Sequence, residues 1–531
     1  MTTARAGGEP TGAERPNVVV IITDDQGPWA MGCAGNPEIR TPNLDRLAAS
    51  GIRFRHFFCA SPVCSPARAS LLTGRIPSTH GVHDWLKDGN GGTQKPVEYL
   101  AGITAYTDVL AAHGYRCGLS GKWHLGDSPR PQKGFTHWYA HQFGGGPYND
   151  APMIRDGQLI REPGYVTERI TDDALAYLDR HAAGRPTEAA SATGGIEVAR
   201  GGRESAGAAG AAGQNPFYLH VCYTAPHSPW IDNHPQELVD SYADCAFESC
   251  PQEERHPWAG SLSSNLGNRA ALQGYFAAVT AMDANVGRIL DRLEQHGLRE
   301  STLVLFTSDN GFSCGHHGFW GKGNGTFPMN MYENSVTVPT LISRPGHVPS
   351  GVVCDALLSH YDVFPTLLDY LGLDVPDARS LPGRSFAPLL RGAGDAGEAG
   401  EQDAGPAAGR EYIVAGTDST DSAAQQAFSG RHMHDEYGPV RMVRTRDWKY
   451  VHRYPYGPHE LFDLKHDPGE RRNLVDDAGH QATRRALKAE LDGWFVRYAD
   501  PARDGVREPV TGKGQLDLAG PAGIGAVAFA E

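Results

Sequence analysis

The chain has no run of apolar residues approaching the roughly 18 that a membrane helix needs, so no membrane span and no membrane partner are expected. Residues 1–14 are polar and lack the apolar centre of a secretory signal, which points to a cytoplasmic protein. Basic charge is in deficit: 48 Lys and Arg stand against 62 Asp and Glu, a formal net charge of −14. A nucleic-acid binder carries a basic face, and none is visible here. The acidic balance leaves an anionic substrate open, because a few cations and a metal can set the field of one pocket. Cysteines are few, scattered and odd in number, nine in 531 residues. That argues against a disulfide framework and fits a reducing compartment, with Cys245 and Cys250 the one pair that could join. Internal repeats are also missing. What is present is 40% hydrophobic content, enough for one large domain with a large core and a smaller companion.

Val18-Val19-Val20-Ile21-Ile22 is a continuous apolar strand of the kind buried on both faces of a parallel sheet. Thr41-Pro42 to Ser50-Gly51 reads as a helix with Thr41 as cap and a proline in its first turn. Residues 105–113 predict a helix and 115–119 a strand; Phe217–Cys222 and Thr302–Thr307 predict two more strands. Leu272, Phe276, Val279, Met282, Val286, Ile289 and Leu293 form the apolar stripe of a long helix from Arg269 to His296, stopped by Gly297. Strands alternating with helices imply an α/β fold with a large mixed, mostly parallel sheet flanked by helices. Tyr412–Ala415, Val440–Arg444 and Lys449–Arg453 suggest a small antiparallel sheet, closed by a helix bearing Leu487, Leu491, Trp494, Phe495 and Tyr498. The expected organisation is a disordered tail 1–14, a catalytic domain 15–391 with a flexible insertion at 183–215, a linker 392–410, and a small C-terminal α+β subdomain 411–531.

The chemistry gathers where the predicted strands end, which is where open α/β sheets build sites. Cys64-Ser65-Pro66-Ala67-Arg68 places a cysteine at the head of a helix that Gly74 can end. A helix N-terminus favours negative charge, and Arg68, four residues on, faces the same side. Asp24 and Asp25 follow the first strand; Asp309 and Asn310 follow the 302–307 strand. Each pair alone is more often an ordinary turn, but two strand ends with oxygen ligands suit a hard divalent cation, calcium or its rival magnesium. Lys122 and His124 follow the 115–119 strand, His227 follows the 217–222 strand, and Lys322 lies beyond Asp309. Singly these are ordinary surface residues; together they would make a pocket for a tetrahedral oxyanion.

These segments resemble the type I, formylglycine-dependent sulfatases of the alkaline phosphatase superfamily. The matching residues are Asn17–Asp25, Thr41–Asp45, Cys64–Arg75, Gly121–Gly126, Pro226-His227, Ser308–Gly311, the Lys322 region, and the tail Glu460–Leu464 with Asp467-Pro468. The likeness spans roughly residues 15–475 and implies a sulfatase-like fold. It implies that Cys64 is converted to Cα-formylglycine by a transiently bound maturation enzyme. By the same likeness Asp24, Asp25, Asp309, Asn310 and residue 64 hold the metal. Arg68 steadies the hydrated aldehyde, and Lys122, His227 and Lys322 bind the sulfate, with His227 or Lys122 as proton donor. His124 acts as base. The implied reaction is hydrolysis of a sulfate monoester, leaning to a carbohydrate sulfate because the expected site-lining segments carry Trp85, Trp230, His234 and Trp320. The long segment Gly323–Glu333 loosens the placement of Lys322. His316 and His317 are candidates for substrate selection or ordinary loop histidines. Two other readings stand beside this one. One is a phosphonate monoester hydrolase or phosphodiesterase with the same formylglycine; the other is a non-catalytic metal-binding homologue.

Overall fold

The computed structural model describes residues 15–87, 96–184, 215–392, 413–415, 431–523 and 527–531. The expected tail 1–14 lies outside these residues, as do nearly all of the expected insertion 183–215 and linker 392–410.

The strands in chain order are β1 (Asn17–Thr23), β2 (Ile52–Phe58), β3 (Arg116–Lys122), β4 (Phe135–His141), β5 (Asn149–Arg155), β6 (Gln158–Tyr165), β7 (Phe217–Cys222), β8 (Thr302–Ser308), β9 (Ser313–Cys314), β10 (Trp320–Gly321), β11 (Thr340–Ser343), β12 (Val352–Ser359), β13 (Ile413–Ala415), β14 (Met433–Tyr437), β15 (Val440–Arg444), β16 (Trp448–Arg453) and β17 (Glu460–Asp463). Eleven of them form one sheet in the order β13-β12-β2-β11-β8-β1-β7-β3-β4-β5-β6. The centre, β8-β1-β7-β3-β4, is parallel. Antiparallel pairing enters at β11 and again at β5 and β6. Every residue of β1 is buried, because helices cover both faces of the central strands. The fold is the expected α/β architecture.

The helix Arg269–Gln295 is capped by the Asn268 side chain, which accepts from Ala270 N and Ala271 N, and Gly297 ends it at φ +66°. The helix Pro42–Ala49 departs from expectation at its cap. Thr41 Oγ1 accepts instead from Gly32 N at 2.8 Å. Asp283, on the long helix, takes over by accepting from Asn43 N at 3.1 Å and Leu44 N at 2.8 Å. A carboxylate from a packed neighbour serves the same orphan donors as a local cap and also ties the two helices together.

The C-terminal residues form the expected small antiparallel sheet, β14-β15-β16-β17, covered by the helix Gln481–Tyr498 through Leu487, Leu491 and Phe495. One strand is corrected. Ile413–Ala415 joins the edge of the large sheet, parallel to Val352–Cys354, and takes no part in the small one. Its pairing is set by a distant neighbour that the local apolar pattern cannot reveal. All nine cysteines are free thiols, so Cys245 and Cys250 do not bond to each other. Among the described residues, no helix is long and apolar enough to cross a membrane.

Candidate active site

The register of the sheet brings the candidate residues together. Thr23 lies opposite Ser308, and Ile22 opposite Cys222, so β1, β7 and β8 finish level with one another. Asp309 N then bonds Thr23 O, and Asp24 N bonds Ala225 O, each at 3.0 Å. Cys64 is the first residue of the helix Cys64–Thr73, which is buried along its whole length and ends at Gly74 in the left-handed region. The helix points its N-terminus at the carboxylates.

The ligand atoms of Asp24, Asp25, Cys64 and Asp309 all lie within 4.8 Å of one another. Cys64 Sγ is 3.3 Å from Asp24 Oδ1. Asn310 donates its amide N–H groups to Asp25 Oδ1 at 2.8 Å and Gly311 O at 2.9 Å, which fixes the amide and leaves its buried Oδ1 without a partner among the described residues. An orphaned amide oxygen beside three carboxylates is a donor set that fits a hard divalent cation.

Three cations face the three carboxylates. Arg68 donates to Asp309 Oδ2 through Nε at 2.9 Å, with Nη2 at 2.8 Å, and to Lys122 O at 3.2 Å. Lys122 Nζ is 2.5 Å from Asp24 Oδ2. Lys322 Nζ is 2.5 Å from Asp25 Oδ1 and 2.7 Å from Cys64 Sγ. The long segment after Lys322 therefore does not displace it. Burial raises the Asp24 carboxyl, and the neighbouring Asp309 adds to this. Burial also acts upward on Asp309, but Arg68, then Lys122 and Lys322, outweigh it and hold that carboxyl well below the usual range. The Cys64 thiol is pushed up by burial and then by Asp24, so the encoded thiol is a poor nucleophile here.

His124 Nε2 contacts Leu86 O at 2.9 Å. A carbonyl only accepts, so Nε2 carries the proton in the neutral ring and Nδ1 keeps a free lone pair. Nδ1 is buried and has no partner among the described residues. Burial, then Lys122, drives the His124 pKa well below its ordinary value, so the ring stays neutral. His227 Nδ1 is 2.8 Å from Ser228 O, and its Nε2 is 3.8 Å from Asp25 Oδ2. A cavity of about 300 Å³ opens onto Asp25, Cys64, His124, His227 and Lys322, walled by Trp85, Leu262 and Asn324. The expected metal-holding and catalytic residues thus gather in one place, with Lys122 and Arg68 behind the cavity.

Several expectations are corrected. His316 bonds Ser249 O at 3.1 Å and packs on Trp29, while His317 stacks on Tyr332 with ring centroids 4.0 Å apart. Neither lines the cavity. Trp230 and Trp320 are buried against each other, and His234 packs on Tyr148, so of the four rings only Trp85 reaches the cavity. The loop after β4 was missed. A Cβ on Gly144 would fall 2.1 Å from the His124 ring, and one on Gly145 would fall 2.9 Å from the His227 ring. The run Gly144-Gly145-Gly146 was the available signal. Gly144→Ala is expected to lower kcat about 10- to 100-fold, because Leu86 O keeps the His124 ring from retreating. Steady-state kinetics check this; an unchanged kcat would show that the ring position does not matter.

The family model described as Sulfatase matches residues 16–194 and 203–373. The chain belongs to the sulfatase family. All the clustered residues lie inside the match, whereas the small C-terminal sheet lies beyond it. The chain is 28% identical to the N-acetylglucosamine-6-O-sulfatase of Bacteroides thetaiotaomicron, over 95% of this chain and 90% of that protein. It is 30% identical to human arylsulfatase A, over 90% of this chain and 89% of that one. A solved structure in complex with its substrate D-glucosamine-2-N,6-O-disulfate shares the fold with a TM-score of 0.69 at 24% identity, covering 93% of this chain and 100% of the other. The named sulfatases among these relatives are sulfuric ester hydrolases.

Proposed function

We propose that the protein hydrolyses a sulfate monoester, a sulfated carbohydrate, to an alcohol and inorganic sulfate, with residue 64 matured to formylglycine. The observation that carries this is the placement of Cys64. It heads a buried helix, 2.7 Å from an ammonium and within 4.8 Å of three carboxylate ligand atoms, at the floor of an open cavity. Formylglycine supplies a hydrated aldehyde, one hydroxyl of which attacks sulfur while the other later expels sulfate as the aldehyde re-forms. Asp24, Asp25, Asp309, Asn310 and residue 64 would hold a divalent cation, calcium or magnesium, which supplies Lewis-acid and orienting power. Because Cys64 is only 2% exposed, its maturation enzyme would meet it before this helix packs.

The chain's own groups then have distinct tasks. Lys322 and His227 line the cavity and bind the sulfate oxygens, with Lys122 supporting from behind Asp24. His227 protonates the leaving alcohol oxygen, since Lys122 does not reach the cavity. His124 takes the proton of the residue 64 hydroxyl at its free Nδ1. Arg68 fixes Asp309 and, through Lys122 O, the end of β3. The carbohydrate assignment rests on the named substrates of relatives and on a cavity with one wall of Trp85, large enough for a single sugar. Paired rates on an aryl sulfate and an aryl phosphonate ester test the reaction class. Faster sulfate turnover is expected, and faster phosphonate turnover would transfer the site to the phosphonate hydrolase reading.

A further inference from the structure

The peptide group of Leu86 touches both flanks of the site. Its N–H donates to Ser65 Oγ at 3.1 Å, beside residue 64, and its carbonyl accepts from His124 Nε2 at 2.9 Å. The segment carrying it, His83–Lys87, belongs to no regular strand or helix, so something else must hold it. The holder is the far end of the chain. Gln515 N donates to Trp85 O at 2.8 Å, and Lys87 N donates to Gln515 O at 3.0 Å, a bridge that brackets Leu86. The Gln515 side chain is fully buried; its Oε1 accepts from His83 N at 2.8 Å, and its Nε2 donates to Gly81 O at 3.1 Å. Asp84 Oδ2 accepts from Gly514 N at 3.1 Å, and Trp85 Nε1 donates to Gly512 O at 3.1 Å. Gln515 is in turn bridged to Phe529.

We infer that residues 511–517 form a positioning strap for His124, with Gln515 as its central residue, acting through the Leu86 peptide. The strap lies beyond residue 373, where the family match ends, and contributes no side chain to the cavity lining. It acts by geometry. A Leu86 carbonyl held in place keeps the proton on Nε2, fixes the ring and leaves the Nδ1 lone pair free. The same strap sets the indole of Trp85 as a cavity wall. This inference rests on the reading of His124 as the base.

A double-mutant cycle in kcat tests it, using Gln515→Ala and His124→Ala on an activated aryl sulfate, with urea midpoints confirming that each variant is folded. His124→Ala is expected to lose about 100-fold. Gln515→Ala is expected to lose about 10-fold in the wild-type background. In the His124→Ala background it should change kcat by less than about 2-fold, since its effect passes through the missing ring. Gln515→Asn, which withdraws the amide by one methylene, repeats the test if the alanine variant does not fold. Equal losses from the Gln515 change in both backgrounds, or none in either, overturn the strap while leaving the His124 assignment in place. A full kcat for His124→Ala overturns the assignment and the strap together.

Discussion

Cys64→Ala removes turnover, by about 10⁵-fold or more, and leaves a folded protein. The reason is chemical: in the proposed mechanism residue 64, which lines the cavity beside Lys322, is the group that would supply the hydrated aldehyde. Methyl in place of CH₂–S deletes one buried atom from a helix held by nine other buried residues. The stability cost is therefore small, about 1 kcal/mol, and Lys322 keeps Asp25 Oδ1 as its partner. Steady-state rates and urea denaturation measure the two effects separately. Appreciable residual turnover in Cys64→Ala would place the nucleophile elsewhere.

Asp309→Ala costs both stability and activity. Its Oδ2 accepts a hydrogen bond from Arg68 Nε at 2.9 Å and forms an ion pair with Nη2 at 2.8 Å, and the paired side chains are 0% and 3% exposed. Its Oδ1 accepts from Asp25 N at 3.3 Å and Asn310 N at 2.8 Å. Removing the carboxylate strands a buried guanidinium beside one carbonyl, Lys122 O. Breaking one side of a buried pair typically costs about 3–5 kcal/mol, a large share of a whole domain's stability. The difference from wild type also depends on pH. Arg68, Lys122 and Lys322 hold the folded carboxyl below the unfolded value of about 3.9, so its stabilisation is present above that value and lost as pH falls through the folded one. Urea denaturation at neutral and acid pH is expected to show a gap that shrinks with acidification. A neutral-pH loss under about 1 kcal/mol would contradict the pairing.

The sequence carried the central strands and the candidate ligands because their signals are local. Val18–Ile22 is apolar without a break, Pro66 and Gly74 punctuate the Cys64 helix, and Asp24-Asp25 and Asp309-Asn310 each immediately follow a strand. Residues that act across the chain were silent. Gly144 matters only because the His124 ring packs on it, and Gln515 only because the fold lays it along Leu86. Strands β5 and β6 escaped notice because their mixed burial leaves no clean apolar run. The aromatic residues misled in the opposite direction. Trp230 and Trp320 went into the core and His317 onto Tyr332, where large rings gain most from burial. Thr41 was named as a helix cap by residue type, but Asp283 on a distant helix does the capping.

The most direct measurement of the account is the mass of the peptide spanning residues 64–68, taken from protein produced alongside a formylglycine-generating enzyme and compared with its sulfate-releasing rate. The account predicts the aldehyde, or its hydrate, at position 64, with activity rising in proportion to the modified fraction. A preparation that releases sulfate at full rate while position 64 is entirely cysteine would contradict it.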